Sequence, residues 1–75
     1  MLEKRFICAS ITELKSGHAW TLRIEYSYYS IYNFTDVFVY GTRLECEHRL
    51  ILERCNGIIK IISKSGDVIP IELKD

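Results

Sequence analysis

From Trp20 to Tyr28 every second residue is apolar or aromatic: Trp20, Leu22, Ile24, Tyr26 and Tyr28. The residues between and before them, Ala19, Thr21, Arg23, Glu25 and Ser27, are small, polar or charged. A helix would scatter these side chains around its circumference, whereas a strand puts all five on one side. The segment is therefore a strand with one packed and one wet face. One such strand cannot bury its apolar face alone, so the rest of the chain must supply neighbours.

Those neighbours are visible on both sides. Arg5 to Leu14 is β-favouring with mixed alternation, and it reads as buried on both faces near Phe6 to Ala9. Phe34 to Tyr40 is rich in β-branched and aromatic residues, and Ile58 to Ser63 and Val68 to Leu73 read as two further strands joined across Lys64 to Asp67. The tripeptide Lys-Ser-Gly occurs at 15–17 and again at 64–66, each time between two such runs. A glycine able to take positive φ makes each copy a hairpin connection. Pro70 cannot donate to a ladder, which places the last strand at an edge. Tyr29 to Asn33 must turn or bulge without help from glycine or proline.

Gly41 to Gly57 carries two incompatible signatures. As a helix, Thr42 and Glu45 form a capping box, and Leu44, His48, Ile51, Leu52 and Cys55 share one face. As a strand, Asn56-Gly57 closes a two-residue hairpin that sets Leu52 opposite Ile61 and Glu53 opposite Lys60. The helix leaves Cys46 and Leu50 on its polar side, so the strand is preferred. The expected fold is a single all-β domain over 1–75, a five- to six-stranded antiparallel meander curled into a small barrel. The alternative is α+β, an antiparallel sheet with one helix near 43–55.

Bulk composition narrows the functions. At 75 residues the chain is near the lower limit for one unaided core. Ten basic and ten acidic side chains cancel, which argues against the field that holds duplex nucleic acid. Glu3, Lys4 and Arg5 interrupt the start, so no secretory leader is expected, and no stretch is apolar enough for a membrane span. Three cysteines, Cys8, Cys46 and Cys55, at irregular spacing fit thiols in a reducing, cytoplasmic compartment.

Reactive residue types are present without a motif. Cys46, His48 and Cys55, with Cys8 or His18 as a fourth, are zinc-ligand types but lack the tight paired spacing of structural sites, so no metal is expected. Arg43, Glu45, Glu47, His48 and Arg49 could do acid–base chemistry, but alternating charges of this kind usually form a solvated face. No glycine-rich phosphate loop or nucleophile elbow occurs, and no catalytic residue or cofactor is expected.

The aromatic residues carry the functional reading. Seven of nine fall between Tyr26 and Tyr40, a window whose one charge is Asp36. By parity, Phe34, Phe38 and Tyr40 share a face opposite Thr35, Val37 and Val39, so this strand is apolar on both sides. In so small a protein each side needs a cover, a helix or another subunit. The chain is therefore read as a non-catalytic interaction module, a small regulator or inhibitor. It would dimerise with itself or bind another protein through Tyr29, Tyr32, Val37, Val39 and Tyr40. The alternative, less favoured, is a single-stranded nucleic-acid binder that stacks bases on Tyr29, Tyr32 and Tyr40, with Arg23, Arg43 and Arg49 as phosphate contacts.

Overall fold

The computed structural model describes residues 4–28 and 32–74. Along the chain these form β1 (Lys4–Glu13), β2 (Trp20–Tyr28), β3 (Tyr32–Tyr40), α1 (Arg43–Leu52), β4 (Gly57–Ile62) and β5 (Val68–Leu73). The strands make one open sheet in the order β3-β2-β1-β4-β5. The alternation of β2 is realised as read: Leu22, Ile24 and Tyr26 are buried and Arg23 is exposed. Both Lys-Ser-Gly segments lie in turns, with Gly17 at φ +76° and Gly66 at φ +94°. The bend expected over Tyr29 to Asn33 lies partly outside the described residues.

The mixed alternation of β1 has a local cause. Phe6 is opposite Tyr26 and Cys8 is opposite Glu25, so Ile7 is an extra residue, a β-bulge, at that point of the ladder. The bulge resets the parity of β1. Phe6 lies on one face, and beyond the bulge Ala9 and Ile11 return to that same face beside Ile24 and Leu22.

Two expectations fail. The sheet is mixed and open, neither antiparallel throughout nor closed into a barrel: β4 runs parallel to β1, with Ser10 opposite Lys60 and Ile11 opposite Ile61. And 43–52 is a helix, not a strand, so Leu52 does not face Ile61, whose partners are Ile11 and Ile69. The two failures have one origin. A helix after β3 carries the chain back along the sheet and over β2 and β1, so β4 starts at the same end as β1 and runs with it. Asn56-Gly57 then leads into a strand instead of closing a hairpin.

The helix is capped as expected, Thr42 Oγ1 accepting from the Glu45 amide at 3.2 Å. It ends earlier than Asn56-Gly57. Arg54 takes the left-handed conformation at φ +57°, the Arg54 amide donates to the Ile51 carbonyl and the Cys55 amide to the Leu50 carbonyl. That pattern is a Schellman motif with arginine where glycine is usual.

The side that α1 turns to the sheet is the reverse of the one its apolar pattern suggests. Cys46 and Leu50 are fully buried, whereas Leu44 and Leu52 are 74% and 70% exposed. Only Gly41 and Thr42 separate β3 from α1, so the rotation of the helix about its axis is set by that short connection. The core is thus one layer of sheet residues, Ala9, Ile11, Leu22, Ile24, Tyr26, Ile59 and Ile61, under Cys46, Leu50 and Cys55. Burying a leucine such as Leu50 contributes roughly 1.5–3 kcal/mol by the area rule.

Candidate protein interface

Every described aromatic ring lies on the helix side of the sheet. Phe6, Trp20, Phe34, Phe38 and Tyr40 pack against the core, and Tyr26 is part of it. The rings form a ladder across strands: Phe6 on Tyr26 at 6.5 Å edge-on, Tyr26 on Phe34 at 5.2 Å, Phe34 on Tyr28 at 4.6 Å, and Tyr28 on Tyr32 at 5.7 Å. Lys4 Nζ sits 4.3 Å from the centre of the Tyr26 ring, and the Arg49 guanidinium lies 4.5 Å from that of Phe38. The Tyr26 hydroxyl is 3.7 Å from Cys55 Sγ. Desolvation, then this contact, raises the Tyr26 pKa well above the usual phenol range.

The opposite face is uncovered and carries no ring among the described residues. Its centre is a shallow hollow of about 300 Å³ lined by Cys8, Ser10, Arg23, Glu25, Thr35, Ile58 and Lys60. Arg23 and Lys60 stand on either side of Ser10 in the ladders. Glu25 accepts from the Cys8 thiol at 3.4 Å and from Asn33 Nδ2 at 3.3 Å. Desolvation, and then Glu25, raises the Cys8 pKa. Val37 and Val39 rise at one margin of this face, 51% and 62% exposed.

The five residues read as an interface therefore do not share a face. Val37 and Val39 are on the open side; Tyr32 and Tyr40 are on the helix side, at opposite ends of β3. Tyr32 is 56% exposed, while Tyr40 is half-buried with its ring 6.2 Å from Phe38. Tyr29 lies outside the described residues. What the other four share is an edge, since β3 is the outermost strand of the sheet. Helix α1 covers one side of that strand, and nothing described covers the other.

The two edges of the sheet are unlike. β5 has six residues and includes Pro70, Glu72 and, just past its end, Lys74. Proline and exposed charge are the usual means of blunting an edge. β3 has nine residues, no proline and one charge, Asp36, which points to the helix side opposite Ile24. Beside this edge, Tyr40, Glu45, His48, Arg49 and Leu52 line a second hollow of about 200 Å³. Leu52 belongs to this surface, although the sequence reading does not include it. Its membership follows from the rotation of α1, which the helical pattern does not encode.

The remaining candidates are dispersed. Arg23 is on the open face, whereas Arg43 and Arg49 are on α1, across the sheet from it. Arg43 pairs with Glu47 at 3.2 Å and Arg49 with Glu53 at 2.9 Å. Cys46 points into the core and His48, two residues on, is exposed. Among the described residues no three His, Cys, Asp or Glu side chains converge as a metal site would require. No described helix is long and apolar enough to cross a membrane. No family model, curated protein or solved structure matches the chain.

Proposed function

We propose that this chain is a non-catalytic interaction module that binds protein through the β3 edge, strand against strand. One observation carries the reading: β3 is a long, proline-free edge strand with exposed Val37 and Val39, while the other edge is blunted by Pro70. An unpaired edge presents a row of amide and carbonyl groups, and a strand laid along it gains main-chain hydrogen bonds plus side-chain contacts on both faces. A module of this size that occupies a partner's strand edge can act as a regulator or inhibitor by excluding other strands. The split of Arg23 from Arg43 and Arg49 leaves the nucleic-acid reading without its cluster of cations.

Replacing Val37 and Val39 together by lysine tests it. The double variant should keep its circular dichroism spectrum and lose association, measured by sedimentation velocity with the chain alone and with purified protein partners. Association of the native chain should change far less between low and high salt than phosphate binding would, because apolar and main-chain contacts are not screened. Tight binding of a labelled single-stranded oligonucleotide that weakens steeply with salt would overturn the proposal.

A further inference from the structure

We infer that the occupant of the β3 edge is a second copy of this chain, paired antiparallel about a two-fold axis at Val37; this rests on the reading of that edge as a protein interface. A two-fold contact joins one patch to itself, so the strand must complement its own reverse. With the axis at Val37, that residue meets Val37 of the second copy, Thr35 meets Val39, and Phe34 meets Tyr40. Each pair lies on one face, since Thr35, Val37 and Val39 are on the open side and Phe34 and Tyr40 on the helix side. β-Branched and aromatic cross-strand pairs of this kind are the stabilising ones.

The one charge on the strand favours this axis over those at Asp36 and Phe38. Asp36 is half-buried and makes no hydrogen bond or ion pair with a described residue. With the axis at Asp36 it would meet its own copy, a like-charge contact. With the axis at Phe38 it would meet Tyr40, which shares a hollow with Glu45. With the axis at Val37 it faces Phe38 of the second copy, whose ring lies beneath the Arg49 guanidinium at 4.5 Å. Asp36 of each copy then meets Arg49 of the other, twice across the axis.

Area points the same way. A stable pair buries about 800 Å² per partner, against a total surface of 5263 Å². Leu52, Arg49 and Tyr40 line the hollow beside the edge and would be covered by the second copy, together with Val37 and Val39 on the other side.

An inward-pointing charge on an edge strand can also serve the opposite end, keeping edges apart, and the test separates the two. Sedimentation equilibrium of the full chain at micromolar concentration should show a dimer. Asp36→Lys and Arg49→Glu should each weaken it on the order of tenfold or more. Mixing the two variants should restore pairing, because the introduced lysine of one then meets the introduced glutamate of the other, and the native Asp36 meets the native Arg49. That rescue also shows that both variants fold. In a Cys8→Ser background, Val37→Cys treated with diamide should give a disulfide-linked dimer, since cross-strand Cα atoms about 4.5–5.5 Å apart lie within disulfide reach. Stronger association of Asp36→Asn than of the native chain would overturn the inference in favour of a protective charge. A dimer that Val37→Cys does not cross-link would overturn the register. If the chain is monomeric but Val37→Lys/Val39→Lys still abolishes binding to a different protein, the second copy is wrong and the interface reading stands. If that variant alters no association, both fall.

Discussion

Leu44 and Leu50 share one ten-residue helix and one side-chain chemistry, and they differ only in which way α1 is turned. Leu50 is fully buried and Leu44 is 74% exposed. Leucine and alanine are both strong helix formers, so truncating either one isolates burial from propensity. Leu50→Ala removes buried methyl groups over a sheet face made of Ile11, Leu22, Ile24, Ile59 and Ile61 and should cost about 2–5 kcal/mol. At roughly 0.05–0.15 kcal/mol per residue, a chain of this length has about 4–11 kcal/mol in total, so the variant loses a large share of its stability. Leu44→Ala should cost no more than about 0.5 kcal/mol. Urea unfolding followed by Trp20 fluorescence and by circular dichroism reads both. With a slope near 1 kcal/mol/M, the Leu50→Ala midpoint should fall by about 2 M or more. Protein concentration must be matched, because a dimer would make the midpoint depend on it. A Leu44→Ala variant as damaged as Leu50→Ala, or more so, would refute the orientation of the helix and with it the place of Leu52 beside the β3 edge.

Arg54→Gly should raise stability by about 0.5–1 kcal/mol in the same assay, since a side chain at φ +57° is strained and the helix-ending hydrogen bonds are main-chain; a loss would mean that Arg54 contributes a contact worth more than that strain. Burial pushes the Cys46 thiol up to about 11 from an ordinary value of 9.0. The folded chain therefore holds its proton more tightly than the unfolded one, so this contribution is fully present below pH 9 and is lost as pH rises towards 11. The urea midpoint should fall across that window and fall less in Cys46→Ala; equal slopes in the two proteins would remove the thiol as the cause. In the native chain an aromatic disulfide reagent at mildly alkaline pH should label Cys8, which is exposed, well before the buried Cys46 and Cys55. Equal rates at all three thiols would contradict the packing of α1 on the sheet.

Much of the sheet is legible from local pattern. The two faces of β2, the Lys-Ser-Gly turns, the run from Val68 to Leu73 and the edge position of Pro70 all stand as read. So does the parity of β3, with Phe34, Phe38 and Tyr40 opposite Thr35, Val37 and Val39. The mixed pattern of β1 is visible but not interpretable in the sequence, because a bulge at Ile7 shows only against the partner strand. Of the residues proposed for contact, parity separates Val37 and Val39 from the core, but it does not place Tyr32 and Tyr40 on one surface with them. Position in the sheet, not parity, is what relates the four.

Alternation, caps and turns depend on residues a few positions apart, so they are written in the chain and survive in the fold. The choice between helix and strand over 43–52 is of a different kind, because Thr42 with Glu45 and Asn56 with Gly57 supply good local terms for each. Long-range packing breaks the tie. The helix lets β4 pair with β1 and buries Cys46 and Leu50 in one cluster with Ile11, Leu22 and the other inward residues of the sheet. That same choice leaves β3 outermost and turns Leu44 and Leu52 outward. Which strand becomes an edge is a property of the assembled sheet, and in this protein the edge is where the proposed function lies.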